Sequence, residues 1–150
     1  MSPAVTFRAA RRDEVAAVVA LLRDDMLGRA RERDDLGPYL AAFDAMQAEP
    51  ANQLIVGAIG GELAACYQIT FISGLSLSAA RRAQIEGVRV RPDLRGQRIG
   101  EALIGDAEAR ARAAGCRLLQ FTTNRSRGDA HRFYDRLGFT PSHIGYKKSL

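Results

Sequence analysis

The stretch RPDLRGQRIGEAL, residues 91–103, constrains the fold of this chain more than any other feature. It places a glycine-rich turn between the apolar run IEGVRV, residues 85–90, and a helical pattern of apolar residues that continues to Ala114. Because another apolar run, CRLLQFTT, follows at residues 116–123, the pattern predicts a strand, a crossover helix and a central parallel strand. A helix that opens on glycines offers free backbone N–H groups, so the turn also predicts an anion site.

The rest of the chain predicts further elements around this crossover. Apolar and alternating runs predict a first strand at residues 4–10, a hairpin through Gly60 and Gly61, and one or two final strands within residues 139–150. Helical spacing predicts helices from Asp13, from Pro38 and over residues 130–137. Residues 29–35 are predicted to be a loop and residues 74–82 a flexible excursion. We therefore expect one α/β (α+β) domain over residues 1–150, with a mixed, mostly antiparallel central sheet flanked by helices.

Composition narrows the compartment and the class of partner. Cys66 and Cys116 lie inside apolar runs and belong to no metal-ligand pattern, so we expect buried structural thiols in a reducing compartment. The N-terminal residues lack the apolar core of a signal peptide and no run could span a bilayer, which predicts a soluble, cytoplasmic protein. A net charge of +5 is compatible with nucleic acid or with a nucleotide cofactor, and composition alone does not choose between them.

Two widespread phosphate-binding motifs do not match the turn. A P-loop requires GxxxxGK followed by Ser or Thr, whereas Gly96 and Gly100 have a shorter spacing and no lysine follows them. A dinucleotide fingerprint requires GxGxxG, and the turn has only these two glycines. The first motif is excluded and the second is disfavoured.

The turn RGQRIG, residues 95–100, instead resembles the acyl-CoA-binding turn of the GNAT family of N-acetyltransferases. The family pattern is Gln or Arg, two variable residues, Gly, one variable residue, then Gly or Ala, and Arg95 and Gly100 match its ends. Arg98 stands where the family usually has glycine, which predicts that this position needs no positive φ and that its guanidinium contacts a phosphate. The run AHRFYDRLGF, residues 130–139, resembles the family's other cofactor-side motif.

The resemblance covers roughly residues 83–142, and residues 122–150 look most like bacterial aminoalkylphosphonate N-acetyltransferases. It implies the GNAT fold, with acetyl-CoA as co-substrate. Since the chain has only two histidines and no ligand spacing, we expect no catalytic metal. The positions that the resemblance implies for cofactor binding are Val88, Val90, Arg95, Gly96, Gln97, Arg98, Ile99, Gly100, Asn124 and Arg136.

These positions would act in different ways. Val88 and Val90 would offer backbone groups, because the fourth and fifth strands of the family separate and leave amides that bind the pantetheine arm. The N-terminus of the helix after the turn would bind the pyrophosphate, with arginines adding charge-assisted contacts. Asn124 would hydrogen-bond the pantetheine, although an ordinary turn residue is the alternative.

Two residues are candidates for proton transfer when an amine attacks the thioester directly. The resemblance implies that Tyr134 protonates the thiolate leaving group, although a core tyrosine with a satisfied hydroxyl is the alternative. Glu86 is the candidate base, because strict alternation would place this carboxylate on one face with Val88 and Val90. A salt bridge from Glu86 to Arg81 or Arg82 is the structural alternative.

The acceptor is less well defined. A small-molecule primary amine is the first expectation, and a protein N-terminus or lysine is the second. An acidic group on the acceptor would be received by Arg81 or Arg82, and the sequence does not decide whether the acceptor is acidic or cationic. The residues that would attract a cationic amine are Asp24, Asp25, Asp34 and Asp35.

Two other classes of function remain open. A nucleic-acid-binding module would use a basic stripe, but the sequence lacks a helix-turn-helix, zinc-finger or aromatic sheet signature. A non-catalytic acyl-CoA sensor would keep the turn without the chemistry. We expect neither nucleic acid nor membrane as partner, and a homodimer is plausible. The basic stripe would consist of Arg89, Arg91, Arg95, Arg98, Arg125, Arg127, Arg132 and Arg136.

Overall fold

The computed structural model describes residues 4–24, 26–124 and 128–150. Its chain separates into two units, Met1–Gln120 and Phe121–Leu150. The elements of the first unit, with two short 3-10 turns at Arg12–Glu14 and Pro92–Leu94, are β1 (Thr6–Ala9), α1 (Val15–Leu22), α2 (Met26–Arg31), α3 (Gly37–Gln47), β2 (Asn52–Ile59), β3 (Glu62–Ile72), α4 (Ser76–Ala79), β4 (Arg82–Val90), α5 (Ile99–Ala113) and β5 (Leu118–Gln120). The second unit contains α6 (Gly128–Arg136).

The first unit is built on a five-stranded sheet in the order β1-β2-β3-β4-β5. The pairs from β1 to β4 are antiparallel, whereas β4 and β5 are parallel and joined through α5. Gly60 and Gly61 form the tight turn between β2 and β3, both with positive φ, as the hairpin pattern predicted. The mixed, mostly antiparallel sheet flanked by helices is therefore confirmed.

One face of the sheet, which we call the α1 face, packs against α1 and α3. Its apolar part comprises Leu54, Val56 and Cys66, which contact buried residues of α1 such as Val18 and Leu21. Leu54 also contacts a second cluster in which α1 meets α3. Burial raises the pKa of the Cys66 thiol to about 12. Both cysteines are free and buried, as predicted.

The opposite face, which we call the α5 face, packs against the crossover helix. Ile99, Leu103, Ala107 and Ala111 of α5 are buried, which confirms the predicted apolar stripe, while Ala114 at its end is only partly buried. The strand residues of this face include Ile55, Tyr67, Ile69, Ala83 and Ile85, all 1% exposed or less. This packing fixes the axis of α5 against the middle of the sheet.

A buried carboxylate joins β1 to the start of α1. Glu14 is 8% exposed, and the guanidinium of Arg8 donates to its two oxygens at 2.7 Å each. The backbone N–H of Arg11 donates to it at 2.8 Å. The hydrogen bonds from Arg8 outweigh the cost of burial and lower the pKa of Glu14 to about 2.

Several predictions of local structure were wrong. Part of the predicted loop at residues 29–35 belongs to α2. The excursion at residues 74–82 contains the short α4, in which Leu77, Ser78 and Ala79 adopt left-handed φ values. The strand at residues 116–123 is limited to β5 and lies at the edge of the described sheet rather than at its centre.

The second unit contains helix α6 and irregular chain. The predicted final strands are not formed, since residues 139–150 have neither helix nor strand and the described part of this unit offers no strand to pair with. Asp129 lies inside α6 rather than capping it, and Gly138, with a positive φ, follows its end. None of the described helices, in either unit, combines the length and apolarity needed to cross a bilayer.

Candidate active site

The glycine turn has a backbone that places two residues in the left-handed region. Gly96 has a φ of +80° and Arg98 a φ of +65°. The prediction that this position needs no positive φ was therefore wrong, because Arg98 itself adopts the left-handed conformation where the chain enters α5. A non-glycine residue in this conformation carries a cost of about 1–2 kcal/mol.

The turn presents the first amides of α5. The N–H of Ala102 donates to the carbonyl of Arg98 at 3.1 Å, so the amides of Ile99, Gly100 and Glu101 precede the first helical hydrogen bond. With 15 residues, α5 also carries the partial positive charge of a full helix dipole at this end. Apart from its two chain neighbours, no atom of the described residues lies within 4 Å of the place where a Cβ would stand on Gly96, so the backbone there has room for a ligand.

The charged side chains of the turn are only partly available to bind a phosphate. The guanidinium of Arg98 donates to Glu101 at 3.0 and 3.2 Å, so a phosphate would have to compete with that carboxylate. Arg95 is exposed and Gln97 is half-buried. Arg91 holds the 3-10 turn before them through Asp93 at 2.7 Å. The backbone amides are thus the better prepared part of this candidate anion site.

A bulge in β4 changes the prediction for Glu86. Cys66 pairs with Arg89 and Gln68 pairs with Glu86, so Tyr67 alone faces Gly87 and Val88. Gly87 has a φ of +60°, which a glycine adopts without strain. Strict alternation therefore fails. The prediction that Glu86 shares a face with Val88 and Val90 was wrong.

Instead, Glu86 is exposed and lies among polar residues of the α1 face. It pairs with Gln68 across the sheet, and Gln84 is its neighbour along the strand on the same face. Within the described residues Glu86 forms no ion pair, so the predicted alternative of a salt bridge to Arg81 or Arg82 is not realised. Its carboxylate is accessible to a proton-bearing acceptor.

The other edge of β4 extends beyond its parallel partner. The β4–β5 ladder joins Arg82–Gln84 to Leu118–Gln120 and ends there. Val88 and Val90, which were predicted to offer backbone groups, lie past the last pair, while Val90 pairs with Ala65 on the β3 side. Strand β4 therefore projects beyond the ladder just before the glycine turn.

The second unit carries the other predicted site residues. The ring of Tyr134 lies 4.2 Å from that of Phe121 and 5.8 Å from that of Phe139, and Phe133 packs against it at 5.2 Å. The guanidinium carbon of Arg136 lies 6.0 Å from the Phe133 ring centre. Tyr134 thus has its position fixed by an aromatic cluster within this unit.

The predicted pantetheine-binding residue Asn124 is held through its backbone. The Nε2 atom of His131 lies 3.0 Å from the Asn124 carbonyl oxygen. The His131 ring therefore contacts the backbone of the chain that follows residue 121. The side chain of Asn124 is exposed.

Several residues that were predicted to attract a cationic amine or a nucleic acid already pair with neighbouring groups of the chain. Asp34 pairs with Arg23 at 2.5 Å and Asp35 accepts from the Gly37 amide at 3.0 Å, so neither is a simple attractor for a cationic amine. Asp25 lies outside the described residues. Of the predicted basic stripe, Arg91, Arg98 and Arg132 pair with acidic side chains. Arg125 and Arg127 also lie outside the described residues.

Sequence reasoning missed a partly buried group of hydrogen bonds that links α5 to the sheet, which we call the polar anchor. The hydroxyl of Tyr67 donates to Asp106 at 2.5 Å, and Arg110 donates to the same carboxylate at 2.8 Å. Arg110 also donates to the carbonyl of Phe7 at 3.3 Å, which ties α5 to β1. The spacing of Asp106 and Arg110 on one helix face was the available signal, but their buried tyrosine partner was not visible from it.

Comparisons with known proteins agree with this architecture. The model of the Acetyltransferase (GNAT) family matches residues 9–139. An aminoalkylphosphonate N-acetyltransferase of Salmonella typhimurium strain LT2 is 46% identical over 67 residues, which cover 45% of this chain and 44% of that relative. The aligned part is therefore less than half of that relative's length.

Two solved structures extend the similarity to nearly the whole chain. A protein from Bacillus halodurans C-125, described as a transcriptional regulator, is 41% identical, with a TM-score of 0.93 over 98% of this chain and 100% of its own. A predicted acetyltransferase from Clostridium acetobutylicum, solved with acetyl-CoA, shares the fold at 14% identity, with a TM-score of 0.73 over 96% of each chain. The family model, the sheet with its projecting β4 and the turn before α5 together show that this chain belongs to the GNAT acetyltransferase family.

Proposed function

We propose that the protein is an acetyl-CoA-dependent N-acetyltransferase that transfers an acetyl group to the primary amine of a small molecule by direct attack on the thioester. The observation that carries the proposal is the continuity of the projecting part of β4 with the glycine turn and the amides of Ile99 and Gly100 at the start of α5. Family membership supports the reaction type. The name of the Salmonella relative supports a small-molecule amine as acceptor.

The residues of the turn fit the diphosphate of coenzyme A. The amides of Ile99 and Gly100 supply N–H donors at a helix N-terminus, and Gly96 leaves its backbone open. Arg95 and Gln97 add donors at the rim, with Arg98 available once it leaves Glu101. Bound acetyl-CoA would supply the thioester that the amine attacks.

Other groups would position the pantetheine arm and the acetyl group. The backbone of Val88 and Val90 would offer hydrogen bonds along the part of β4 that lies beyond the β5 ladder. From the second unit, Asn124 would hydrogen-bond the arm and Arg136 would contact a phosphate. These roles are assigned by the family pattern.

The acceptor must lose a proton to become a nucleophile. For an amine with a pKa near 10.4, the neutral form at pH 7 costs roughly 4.6 kcal/mol. Glu86, an exposed carboxylate on the α1 face, would accept this proton directly or through water. Tyr134, fixed by its aromatic neighbours, would donate a proton to the thiolate that leaves.

Two measurements test the proposal. Calorimetry at low salt should show acetyl-CoA binding with a Kd of about 1 μM to 1 mM, which is the usual range of KM for enzyme substrates. Release of free thiol with a panel of amines should then identify acceptors, and peptides with a free N-terminus or lysine would test the protein-acceptor alternative. Absence of acetyl-CoA binding would refute the proposal.

A second candidate is nucleic-acid binding, because the Bacillus halodurans relative is described as a transcriptional regulator and the net charge of +5 would suit a phosphate backbone. A gel shift at increasing salt distinguishes the two functions, since binding to a phosphate backbone weakens steeply with salt. Acetyl-CoA binding without thiol release for any amine or peptide would instead indicate a sensor.

A further inference from the structure

Two charged residues on the α1 face of β4 have no partner of opposite charge among the described residues. Glu86 and Arg82 lie four positions apart on the same face, so their Cα atoms are about 13 Å apart. Across the sheet, Glu86 is paired with Gln68, while Arg82 is paired with Ile72 and Leu118. One carboxylate and one guanidinium therefore bound a short stretch of sheet surface.

The surface between these charges is lined with amides and a hydroxyl. Gln84 pairs with Thr70 on one side and with Gln120 on the other, and all three side chains are only partly buried. A sheet face covered by protein is normally apolar, as the same face is near Leu54. This polar row is thus suited to contact with solvent or a polar ligand.

Hydrogen bonds within the row leave some of its side-chain donors and acceptors unpaired in the part of the chain that the structure describes. The Nε2 of Gln120 donates to Oε1 of Gln84 at 2.9 Å, and the Nε2 of Gln68 donates to Oδ1 of Asn52 at 2.8 Å. Within the described residues, the Nε2 of Gln84 and the Oε1 atoms of Gln68 and Gln120 remain without partners. The row can therefore both donate to and accept from a ligand that lies between the two charges.

The arginine before Arg82 is engaged elsewhere. Successive side chains of a strand point to opposite faces, and Arg81 lies over the ring of Phe71, at 5.7 Å from its centre, on the α5 face. Its NH1 atom donates to Ser73 at 2.9 Å. Of these two arginines, only Arg82 can meet a ligand on the face that carries Glu86.

We propose that the acceptor binds along this row as a zwitterion, with its amine at Glu86 and an anionic group at Arg82. This inference rests on the proposed function, and it makes Arg82 a specificity-determining residue. A diamine would bring a second positive charge towards Arg82, and a neutral amino alcohol would leave that guanidinium unused. An amine that also carries a phosphonate, sulfonate or carboxylate complements both ends.

Acceptors matched in length test the assignment. Thiol release is measured with 2-aminoethylphosphonate, 2-aminoethylsulfonate, β-alanine, ethanolamine and ethylenediamine at constant acetyl-CoA. We expect at least one anionic amine to exceed ethanolamine and ethylenediamine in kcat/KM by tenfold or more. Arg82→Gln should lower kcat/KM for the anionic amine by about ten- to hundredfold, mainly through KM, and leave ethanolamine within about twofold.

Arg81→Gln provides the matched control, since it removes the same charge from the opposite face and should leave both kinds of acceptor within about threefold. Arg82→Lys should recover part of the loss for the anionic amine, which a purely structural effect would not predict. If Arg82→Gln does not fold, the preference of the unmodified protein among the five amines still decides.

The outcomes separate this inference from the proposed function. A preference for ethanolamine or ethylenediamine, or an equal effect of Arg82→Gln on all acceptors, would overturn the zwitterion proposal alone. Normal acetyl-CoA binding with neither turnover nor binding of any anionic amine would do the same. Failure to bind acetyl-CoA would overturn the proposed function and, with it, this inference.

Discussion

The left-handed conformation of Arg98 makes a prediction in which the sign of a stability change is decisive. At an ordinary helical position, glycine destabilises a protein relative to alanine by roughly 0.5–1 kcal/mol. At a φ of +65°, alanine instead carries a cost of about 1–2 kcal/mol that glycine avoids. Glycine gives back about 0.4–1 kcal/mol through the greater freedom of its unfolded chain. We therefore expect Arg98→Gly to be more stable than Arg98→Ala by about 0.8 kcal/mol, the midpoint of a range from about 0 to about 1.6 kcal/mol.

Comparing the two variants with each other cancels the loss of the Arg98 ion pair, which both substitutions cause. Both variants lose the exposed Arg98–Glu101 pair, whose side chains are 75% and 47% exposed and which contributes at most about 0.5 kcal/mol. In a chain of this length, the difference corresponds to a Tm higher by about 2–3 °C for the glycine variant. Thermal unfolding followed by circular dichroism measures it.

Ala109, an exposed residue in the interior of α5, supplies the control. Ala109→Gly should lower stability by about 1 kcal/mol, the opposite sign from the comparison at Arg98. Greater stability of Arg98→Ala than of Arg98→Gly, by the roughly 0.5–1 kcal/mol typical of an ordinary helical position, would refute the left-handed turn. Because Glu101 already binds the guanidinium, we expect both Arg98 variants to lose less than about fivefold in acetyl-CoA affinity.

Three other predictions address the buried carboxylate, the polar anchor and the proposed acid. Because the pKa of Glu14 falls from 4.5 to about 2 on folding, Glu14→Gln should cost at most about 3.4 kcal/mol at neutral pH. That difference in urea unfolding should vanish as pH falls from 4.5 to about 2, and a constant difference would contradict it. Tyr67→Phe removes the bond to Asp106 and should cost about 1.5–3 kcal/mol in thermal unfolding, whereas an unchanged Tm would contradict the anchor. Tyr134→Phe should lower kcat by about 10²- to 10⁴-fold with acetyl-CoA affinity retained, while Tyr146→Phe, at a 93% exposed position, should change neither.

The elements that could be predicted from sequence are those set by short-range patterns. The hairpin follows from two adjacent glycines, and the buried stripe of α5 follows from helical spacing that starts at Ile99. Both depend on residues close in the chain, so the local pattern determines them.

The predictions that were wrong concern long-range pairing. The run at residues 116–123 is apolar enough for a central strand, but only Leu118–Gln120 pair with β4. Ile144 and Tyr146 alternate like strand residues, yet they are 66% and 93% exposed. An apolar run indicates that a strand can form. The length of that strand and its place in the sheet depend on which strands the rest of the chain offers for pairing.

The candidate site shows the same division. The turn from Arg95 to Gly100 was located from its own residues, but the surroundings of Glu86 were not, because they depend on a bulge opposite Tyr67. A bulge adds one residue to one strand and reverses the faces of all residues after it. Periodicity alone could not place it, although Gly87 within an apolar run was a possible signal.

Tyr67 contacts both parts of the candidate site that lie in the first unit, the β4 strand that carries Glu86 and the helix α5 that follows the glycine turn. On β3 it faces Gly87 and Val88 at the bulge, and its hydroxyl binds Asp106 about two turns into α5. The residues before the bulge, from Arg82 to Glu86, show their polar side chains to the α1 face, whereas those after it lead into the turn that begins α5. One buried tyrosine therefore contacts both the bulge of β4 and the helix whose first amides form the candidate anion site. A substitution that loosened Tyr67 would be expected to impair acceptor selection and acetyl-CoA binding together, whereas Arg82 and the glycine turn should affect them separately.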